Sequence, residues 1–510
     1  MTRWLRFGLG LGAVALAACN PEAPSDVDAG THHASDDAYV PPGTDAYVPP
    51  GTDAGMVHTG GAQLVAAGLN DVCAVDSRGD LYCWGDNGKG QLGRGYVEDD
   101  TPSPNPDCSA ISRYPARVQG ITNPLEVALA ANANDFTTGT ICALLSDHTV
   151  SCWGDNSNHL LGAEGYTLPD GGLGALGPGS PTPVAVPGLT NVRDLEASMN
   201  GAFACAIQAN DDGTDSVLCW GANEAMQAGQ AEGSGGTSDV FPPAVVSGLD
   251  HVHVRALRVS TEQACVVYGD GTVGCWGHLG SHDPITDTYT GQVGIDASTL
   301  TEHLCSVPDE FCSPSPIVVP GMTGATDVVV LNGDLCALGA DGHLSCLGEG
   351  YGAGLMALVT GDQDVQQYGT PVVLPEPFSG ITEVRAAGIQ GLAWGCAHRA
   401  DDWYCWGDNR DGWMAYAGSG PSGVQRIPDE AHAVLGLRGV VLSESSVTLP
   451  AMTDLALGQT ICGIGDDGSL WCWGNSSSGE VILGGTGFSY TPYDMTNQDI
   501  GVCNALRFPG

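Results

Sequence analysis

The chain has 510 residues, with 16 Lys and Arg against 59 Asp and Glu, which gives a formal charge of −43. Such a charge repels phosphates, and this excludes nucleic acids and anionic lipid headgroups as electrostatic partners. Glycine accounts for 75 residues, roughly twice the usual 7%. Because hydrophobic residues still make up 42% of the chain, we expect many short strands and tight turns around a sizeable core.

The first residues in chain order resemble a bacterial lipoprotein signal. Arg3 and Arg6 precede an apolar and glycine run over residues 7–18, which is too short for a permanent membrane-spanning helix. Residues 16–19 read Leu-Ala-Ala-Cys, similar to the lipobox in which the cysteine is lipidated and becomes the mature N-terminus. We therefore expect a signal peptide over residues 1–18 and a lipid anchor at Cys19. Asn20, rather than Asp, follows the cysteine, and this favours the outer membrane; the alternative is an ordinary cleaved signal.

A tether is predicted over residues 19–60, where Pro, Gly and Asp dominate. An eight-residue unit, DAYVPPGT, occurs at residues 37–44 and again at residues 45–52. Such a composition cannot pack a hydrophobic core. We expect these residues to be a disordered spacer between the anchor and a globular domain over residues 61–510.

The globular part carries one unit seven times. In each unit a cysteine is followed about ten residues later by a second, and a Trp-Gly follows the second almost every time. The cysteine pairs are Cys73 and Cys83, Cys142 and Cys152, Cys205 and Cys219, Cys265 and Cys275, Cys336 and Cys346, Cys396 and Cys405, and Cys462 and Cys472. The tryptophans are Trp84, Trp153, Trp220, Trp276, Trp406 and Trp473, with Leu347 in the fifth unit. Seven such units indicate a solenoid or a propeller and not seven domains.

The residues between paired cysteines predict a β-hairpin. Between Cys336 and Cys346, two strand-like stretches flank Ala-Asp-Gly at 340–342, and a glycine in the last loop position supplies the positive φ of a type I turn with a bulge. Counting outward places Cys336 opposite Cys346 in a non-hydrogen-bonded pair, with Cα atoms ~4.5 Å apart and within disulfide range. The same count holds for Cys265 with Cys275 and for Cys462 with Cys472. The third unit has a longer turn and the sixth is one residue shorter, which leaves their registers open.

Four further cysteines lie between the anchor and the C-terminus: Cys108, Cys305, Cys312 and Cys503. Cys305 and Cys312 are close enough in sequence to close one loop, which leaves Cys108 and Cys503 to pair and tie the last unit to the first. Metal binding is the competing interpretation. Zinc sites favour Cys-x-x-Cys, which is absent from this sequence, and an exported chain meets oxidising conditions. We therefore expect disulfides and no metal.

Two other segments have residues that can bind metals. Asn210–Ser216 has the oxygen density of a calcium loop but lacks its distal glutamate. His251 and His253 would share one face of a strand, without further ligands that the sequence identifies. We expect a solvated turn and ordinary histidines, and no cofactor.

Residues 84–93 read WGDNGKGQLG and resemble the signature of the regulator of chromosome condensation repeat family. Shorter forms recur at 153–156, 220–223 and 406–409, and the pattern decays at 276–279 and 347–350. Members of that family fold as seven-bladed β-propellers. The resemblance therefore implies an all-β, seven-bladed propeller, in which ring closure removes the open edges of the sheets.

A fold of this kind does not determine function. The family's founding activity concerns a nuclear GTPase and nucleosomes, which an exported and strongly acidic chain does not meet. We expect a non-catalytic, monomeric, lipid-anchored module of the cell envelope, facing the periplasm or the outside, whose rigid propeller face recognises a protein or polysaccharide ligand. Besides this ligand, the lipid bilayer at Cys19 is the one partner that we expect, and nucleic acid is excluded.

The alternative is an envelope enzyme, a polysaccharide lyase or hydrolase. Its carboxylates would come from the irregular inter-blade loops at 94–114, 163–180, 278–312 and 410–430, because insertions of this kind often carry function. The sequence contains no P-loop, His-Glu-x-x-His or Gly-x-Ser-x-Gly motif. Acids from those loops gathered around the propeller axis would favour the enzyme, and their dispersal would favour binding.

Overall fold

A computed structural model describes fifteen stretches of the chain. They are residues 62–95, 115–132, 135–163, 179–231, 239–300, 305, 309–331, 333–349, 366–374, 378–389, 392–400, 402–407, 435–436, 450–476 and 487–494. The chain divides into two units, Met1–Pro49 and Pro50–Gly510. The predicted signal peptide, the tether and Cys19 lie outside the described residues, as do Cys108 and Cys503.

Seven antiparallel sheets follow one another along the second unit. Blade 1 contains β1 (Ala62–Ala67), β2 (Asp71–Asp76), β3 (Asp80–Gly85) and β4 (Ala116–Thr122), and blade 2 contains β5 (Glu126–Asn132), β6 (Asp135–Leu144), β7 (Val150–Asp155) and β8 (Gly179–Ala185). Blade 3 contains β9 (Val192–Ala197), β10 (Phe203–Ala209), β11 (Asp215–Gly221) and β12 (Val240–Val245). Blade 4 contains β13 (Val254–Val259), β14 (Gln263–Tyr268), β15 (Val273–Asp283), β16 (Thr288–Gly291) and β17 (Glu310–Val318).

The remaining three blades have the same meander. Blade 5 contains β18 (Ala325–Leu331), β19 (Asp334–Gly339), β20 (Leu344–Glu349) and β21 (Gln366–Val373). Blade 6 contains β22 (Ile381–Ile389), β23 (Leu392–Arg399), β24 (Asp402–Gly407) and β25 (Leu435–Gly436), and blade 7 contains β26 (Met452–Leu457), β27 (Thr460–Gly465), β28 (Leu470–Ser476) and β29 (Gly487–Asp494). The expected all-β, seven-bladed propeller is confirmed.

The first strand of each blade lies innermost, and the ring closes between the last blade and the first. Consecutive first strands pack against each other, and β1 packs against β26 and β27. Two main-chain hydrogen bonds cross this junction: Ala62 N donates to Gly468 O at 3.0 Å, and Gln459 N donates to Gly68 O at 2.9 Å. Closure therefore satisfies backbone groups that an open ring would leave unpaired.

The paired cysteines face each other across the second and third strands of every blade. Cys336 lies opposite Cys346, and their Cα atoms are 4.1 Å apart, as expected for a non-hydrogen-bonded pair. The turn between them has Gly342 at φ 77°, and Gly342 N donates to Gly339 O at 2.9 Å. The registers left open by the sequence also place the cysteines opposite each other, in the third unit and in the sixth.

The family signature joins blade 1 to blade 2, blade 2 to blade 3 and blade 3 to blade 4, whereas the indole nitrogen of Trp406 in blade 6 has no hydrogen-bond partner among the described residues. In blade 2, Asn156 Oδ1 accepts a hydrogen bond from Leu161 N at 2.8 Å, which fixes the loop after the tryptophan. The carbonyl just before that leucine then accepts the indole N–H of the next blade's tryptophan: Trp220 Nε1 donates to Leu160 O at 2.8 Å. The same bond joins Trp153 to Gln91 and Trp276 to Gln227. A buried indole thus pairs its one polar atom while its rings fill the space between blades.

Blade 4 departs from the pattern through an inserted hairpin. The long β15 pairs with both β16 and β17, and Gln292, Val293 and Gly294 follow the hairpin. A Cβ on Gly294 would lie 2.7 Å from Leu347 Cβ, much as a Cβ on Gly93 would meet the indole of Trp153 at 2.9 Å. Residues 292–294 of blade 4 therefore take the place of the Gln-Leu-Gly segment of the signature. The insertion moves them along the sequence, but they pack against the next blade at the same position.

Candidate functional site

The innermost strands surround an axial cavity of about 430 Å³. Each innermost strand contributes one residue at a given height along the propeller axis, and we call such a set of seven residues a level. The pairing of each innermost strand with the first hairpin cysteine of its blade shows which residues share a level. The cysteine level contains the residues paired with those cysteines: Ala66, Ala128, Glu196, Arg258, Val329, Arg385 and Ala456. The acid level lies two residues earlier in each strand: Leu64, Glu126, Asp194, Ala256, Asp327, Glu383 and Asp454. Five of the seven positions at the acid level are thus carboxylates, and four of these line the cavity: Glu126, Asp194, Glu383 and Asp454.

Two arginines of the cysteine level join neighbouring blades. Arg258 Nη1 lies 3.0 Å from Glu196 Oε1, and its Nη2 lies 2.9 Å from Asp327 Oδ2, which links blades 3, 4 and 5. Arg385 Nη1 lies 2.7 Å from Asp454 Oδ1, linking blades 6 and 7. Paired charges at this depth cost less than lone ones because each guanidinium offsets the desolvation of its carboxylates.

On the remaining side of the cavity, two carboxylates form no ion pair with an arginine among the described residues. Glu126 Oε2 accepts a hydrogen bond from Leu195 N at 2.8 Å, and Asp194 neighbours it in the acid level. Burial raises the pKa of Glu126 to about 7, and the nearby charge of Asp194 adds to the rise. Burial raises the pKa of Asp194 as well. Both groups therefore hold protons more tightly than a solvent-exposed carboxyl.

The pKa of Glu196 is also raised, although this residue forms an ion pair with Arg258. Burial raises its pKa to about 8, against the opposing attraction of Arg258, although 26% of its side chain reaches water. Burial likewise raises the pKa of Asp327. For Arg258 burial disfavours the charge, but Glu196, Asp327 and Asp194 outweigh it and raise its pKa. Burial thus favours the protonated, uncharged forms of these carboxyls, and Arg258 opposes it.

Asn200 lines the same cavity, just beyond the end of β9. It is only 3% exposed, and its side-chain oxygen has no hydrogen-bond partner among the described residues. A buried amide oxygen without a donor costs free energy. The Asn200 oxygen is thus an unsatisfied buried acceptor in the protein beside the cavity.

The third strand of each blade ends, and the fourth begins, at the same end of the meander. In an antiparallel meander the link from the third strand to the fourth always leaves the same end, which we call the loop face. In blades 1, 2, 3, 5, 6 and 7 these links are residues 86–115, 156–178, 222–239, 350–365, 408–434 and 477–486. The hairpin turns at the opposite end, the turn face, are short; residues 77–79 and 269–272 are examples.

The hairpin cysteine pairs, predicted as disulfides, are disulfide-like in the structure. Their Sγ atoms are 2.05–2.15 Å apart in all seven pairs. Cys305 and Cys312 are also paired, beside the inserted hairpin of blade 4. The pairing of Cys108 with Cys503 stays a prediction.

The two candidate metal segments come together but do not form a metal site. Asp212 of the third hairpin turn lies beside His251, with its Oδ2 2.8 Å from the imidazole Nδ1. Hydrogen bonds from Thr214, with a further one to His251, lower the pKa of Asp212 to about 2. His251 has φ 52° and precedes β13, so the expectation that it shares a strand face with His253 is wrong. Within the described stretches, no three acidic, histidine or cysteine side chains converge as metal ligands.

The acids described at the axis come from strands, and of the four irregular loops only 278–312 lies largely within the described residues. In the described part of loop 278–312, no acid lines the axial cavity. The sequence interpretation missed the strand acids because Glu126, Asp327 and Asp454 are each a single charge in an apolar stretch and none of the acids belongs to a recognisable motif. Their regularity lies in the strand pairing and not in sequence spacing, because Asp454 precedes Cys462 by 8 residues whereas Glu126 precedes Cys142 by 16. Across the described residues no helix has the length and hydropathy to cross a membrane.

Comparison with known proteins agrees with this architecture. Family models of the regulator of chromosome condensation (RCC1) repeat match residues 63–91 and 78–138. The E3 ubiquitin-protein ligase HERC2 of Homo sapiens is 26% identical over 230 residues, which is 45% of this chain and 4% of that protein. Protein pim1 of Schizosaccharomyces pombe is 24% identical over 65% of this chain and 66% of its own length. For the ultraviolet-B receptor UVR8 of Arabidopsis thaliana, the identity is 26% over 42% of this chain and 41% of the receptor. The matches thus span less than two thirds of each relative.

Solved structures show the same fold. The crystal structure of human WBSCR16 superimposes with a TM-score of 0.54 at 18% identity, covering 81% of this chain and 94% of that one. A chain in the structure of Kap60 bound to yeast RCC1 (Prp20) gives a TM-score of 0.55 at 16% identity, covering 86% and 85%. The repeat matches, the seven blades and the closed ring together identify this chain as an RCC1-repeat β-propeller.

Proposed function

We propose that this propeller is a non-catalytic binding module, anchored in the cell envelope through Cys19, whose loop face holds a protein or polysaccharide ligand. The observation that carries the proposal is a closed ring of meanders in which the third and fourth strands are separated by long stretches of sequence, such as residues 86–115 and 156–178. A rigid scaffold that presents variable loops on one side is the usual arrangement of a binding surface. The matched relatives support a protein-interaction or regulatory role, since they include a receptor and a ubiquitin ligase.

The distribution of acids disfavours the enzyme alternative. A lyase or hydrolase would need an acid and a base at the substrate, and none of the described acids of loop 278–312 lines the axial cavity. Asp283, for example, bonds Thr286 within its own turn. Four carboxylates of the innermost strands are engaged instead by two arginines from the same ring of strands: Glu196, Asp327, Glu383 and Asp454.

The binding face is tested by photo-cross-linking of the full chain in a Gram-negative host. A photo-reactive residue replaces Glu224 on the loop face, and a matched variant carries it at Asp270 on the turn face; both positions are exposed. We expect a discrete adduct from position 224 and none from position 270. The reverse pattern would overturn the assignment of the face.

The anchor is tested separately by fractionation. The native chain is expected in the outer-membrane fraction with lipid on its N-terminal cysteine, and Cys19→Ala is expected in the soluble fraction. A mature N-terminus at any other residue, read by mass spectrometry, would contradict the anchor without affecting the fold.

A further inference from the structure

Residue 159 has a backbone conformation that histidine rarely adopts. His159 has φ 58°, in the left-handed region that favours glycine. It lies six residues after the tryptophan of its repeat, where blade 1 has Gly90 at φ 79°. The two positions make the same main-chain bond, since His159 N donates to Asn156 O at 3.0 Å and Gly90 N donates to Asn87 O at 3.1 Å. Blade 2 therefore accepts backbone strain at a position where the first repeat has a glycine.

The imidazole of His159 lies against the next blade. Its ring stacks on Phe241, with centroids 3.9 Å apart and planes 11° apart. Its Nδ1 lies 2.8 Å from Asp239 Oδ2, and the side chains of His159 and Asp239 are 21% and 11% exposed. The imidazole can thus exchange protons with water, while the partial burial of the pair limits the screening of its charges. Glycine at this position could make neither contact.

The contact joins two of the connections on the loop face. His159 lies near the start of connection 156–178 of blade 2, and Asp239 is the last residue of connection 222–239 of blade 3. β12 begins at the next residue, Val240. The pair therefore connects the beginning of one loop-face connection to the end of the other.

The charge of this contact depends on pH. Histidine changes its charge between about pH 5 and pH 8, where an aspartate is ionised. An imidazolium forms an ion pair with Asp239 and presents a cation to the face of Phe241, whereas a neutral imidazole keeps at most a hydrogen bond. Apart from Asp239, the described residues 154–163 and 239–245 contain one acid and no Lys or Arg. That acid is Asp155, whose carboxylate accepts hydrogen bonds from Ser157.

We propose that His159, Asp239 and Phe241 form a pH-sensitive clasp on the loop face, which is closed when the imidazole is protonated and loosened when it is neutral. The ligand of the loop face is then held more tightly in mildly acidic surroundings, because a clasp that is closed before binding reduces the ordering cost of binding. The statement about the ligand rests on the proposed function, whereas the clasp itself does not.

Hydrogen exchange of the full chain, followed by mass spectrometry at pH 5.5 and pH 8, tests the clasp. Peptides that contain residues 157–163 and 240–245 are compared after correction for the intrinsic pH dependence of exchange. We expect at least threefold greater protection of these peptides at pH 5.5 in the native chain. His159→Gln and Asp239→Asn should each abolish the difference, because neither variant can form the ion pair. Equal protection at the two pH values in the native chain would overturn the clasp.

Two controls separate the clasp from changes in overall stability. The corresponding peptides between blades 1 and 2 contain Gly90 and Pro181, which approach each other so closely that a Cβ on Gly90 would lie 2.7 Å from Pro181. These peptides have no histidine and should change less between the two pH values than the clasp peptides. Met226→Gln is the matched variant, since Met226 has φ 61° at the same position of the third repeat, and it should keep the pH difference of the clasp.

The variants are checked for folding by circular dichroism. If His159→Gln does not fold, Asp239→Asn supplies the same comparison at a residue without a strained backbone. Loss of the pH difference in Met226→Gln as well as in His159→Gln would overturn the clasp, because it would show a general effect of substitutions between blades.

Photo-cross-linking from position 224 tests the effect on the ligand. The adduct yield is compared at pH 5.5 and pH 8, with and without His159→Gln. We expect at least a twofold higher yield at pH 5.5, and no difference when His159 is replaced. A yield that is independent of pH, beside a clasp that responds to pH, would overturn the statement about the ligand. Absence of an adduct at both pH values would contradict the proposed function, whereas the clasp is upheld or overturned by hydrogen exchange.

Discussion

Trp153 shows how a single side chain holds two blades together. Its indole is fully buried, and its Nε1 donates to Gln91 O of the preceding blade at 2.8 Å. The loop that presents this carbonyl is itself fixed by Asn87, whose side-chain oxygen accepts from Leu92 N. The conspicuous Trp-Gly-x-Asn sequence is therefore an inter-blade joint.

Trp153→Phe should lower the free energy of unfolding by about 1–3 kcal/mol, because it leaves the buried Gln91 carbonyl without a donor. Guanidinium unfolding of the native chain and the variant measures the difference. Tyr289→Phe, at a side chain 40% exposed, is the control and should change stability by less than about 0.5 kcal/mol. An equal effect of the two substitutions would show that the indole bond contributes nothing.

Each hairpin is the element in which local sequence and structure agree best. Turn residues such as Gly342 and Gly468 determine the loop, and the loop sets which residues face each other, so the cross-strand cysteines could be predicted by counting. Blade 4 is different. Its insertion moves the Gln-Val-Gly segment along the sequence, and only packing against Leu347 shows that the segment is equivalent.

Peptide mapping without reduction tests the cysteine pairing directly. We expect Cys73 linked to Cys83, the six counterpart links, Cys305 linked to Cys312, and Cys108 linked to Cys503. The facing positions of the hairpin cysteines make intra-blade bonds the shortest available. Alkylation of those cysteines before any reductant is added would contradict the prediction.

The whole molecule could be predicted as a ring but not as a ring with a charged axis. Seven repeats and the family resemblance imply the propeller. The charged axis required knowing that the first strand of each blade is innermost, which turns isolated residues such as Asp194 and Glu383 into neighbours. A sequence pattern predicts the strands within one blade. It does not predict which residues of different blades become neighbours at the axis.

Stability should fall as pH rises through the range in which the axial carboxyls titrate. Burial raises the pKa of Glu126 to about 7 and that of Glu196 to about 8. The folded chain therefore binds more protons than the unfolded chain between about pH 4.5 and pH 8, and the free energy of unfolding decreases across that interval.

Denaturant unfolding at pH 5, 6.5 and 8 measures this slope. Glu126→Gln/Glu196→Gln should flatten it, and the exposed control Glu224→Gln should leave it unchanged. Stability that rises over this interval in the native chain would contradict the assignment of the raised pKa values.

The central claim, that the propeller holds its ligand without altering it, is tested most directly by the mass of captured ligand. Lys89 is the only lysine of the chain and lies in the first loop-face connection, so a cleavable amine-reactive cross-linker attaches the mature, lipidated chain at one place, and Lys89→Arg is the matched control. We expect an adduct whose released ligand has the same mass as the ligand in untreated envelopes, and we expect it to disappear in the control. Release of cleaved fragments that accumulate with incubation time would contradict the claim and establish an enzyme.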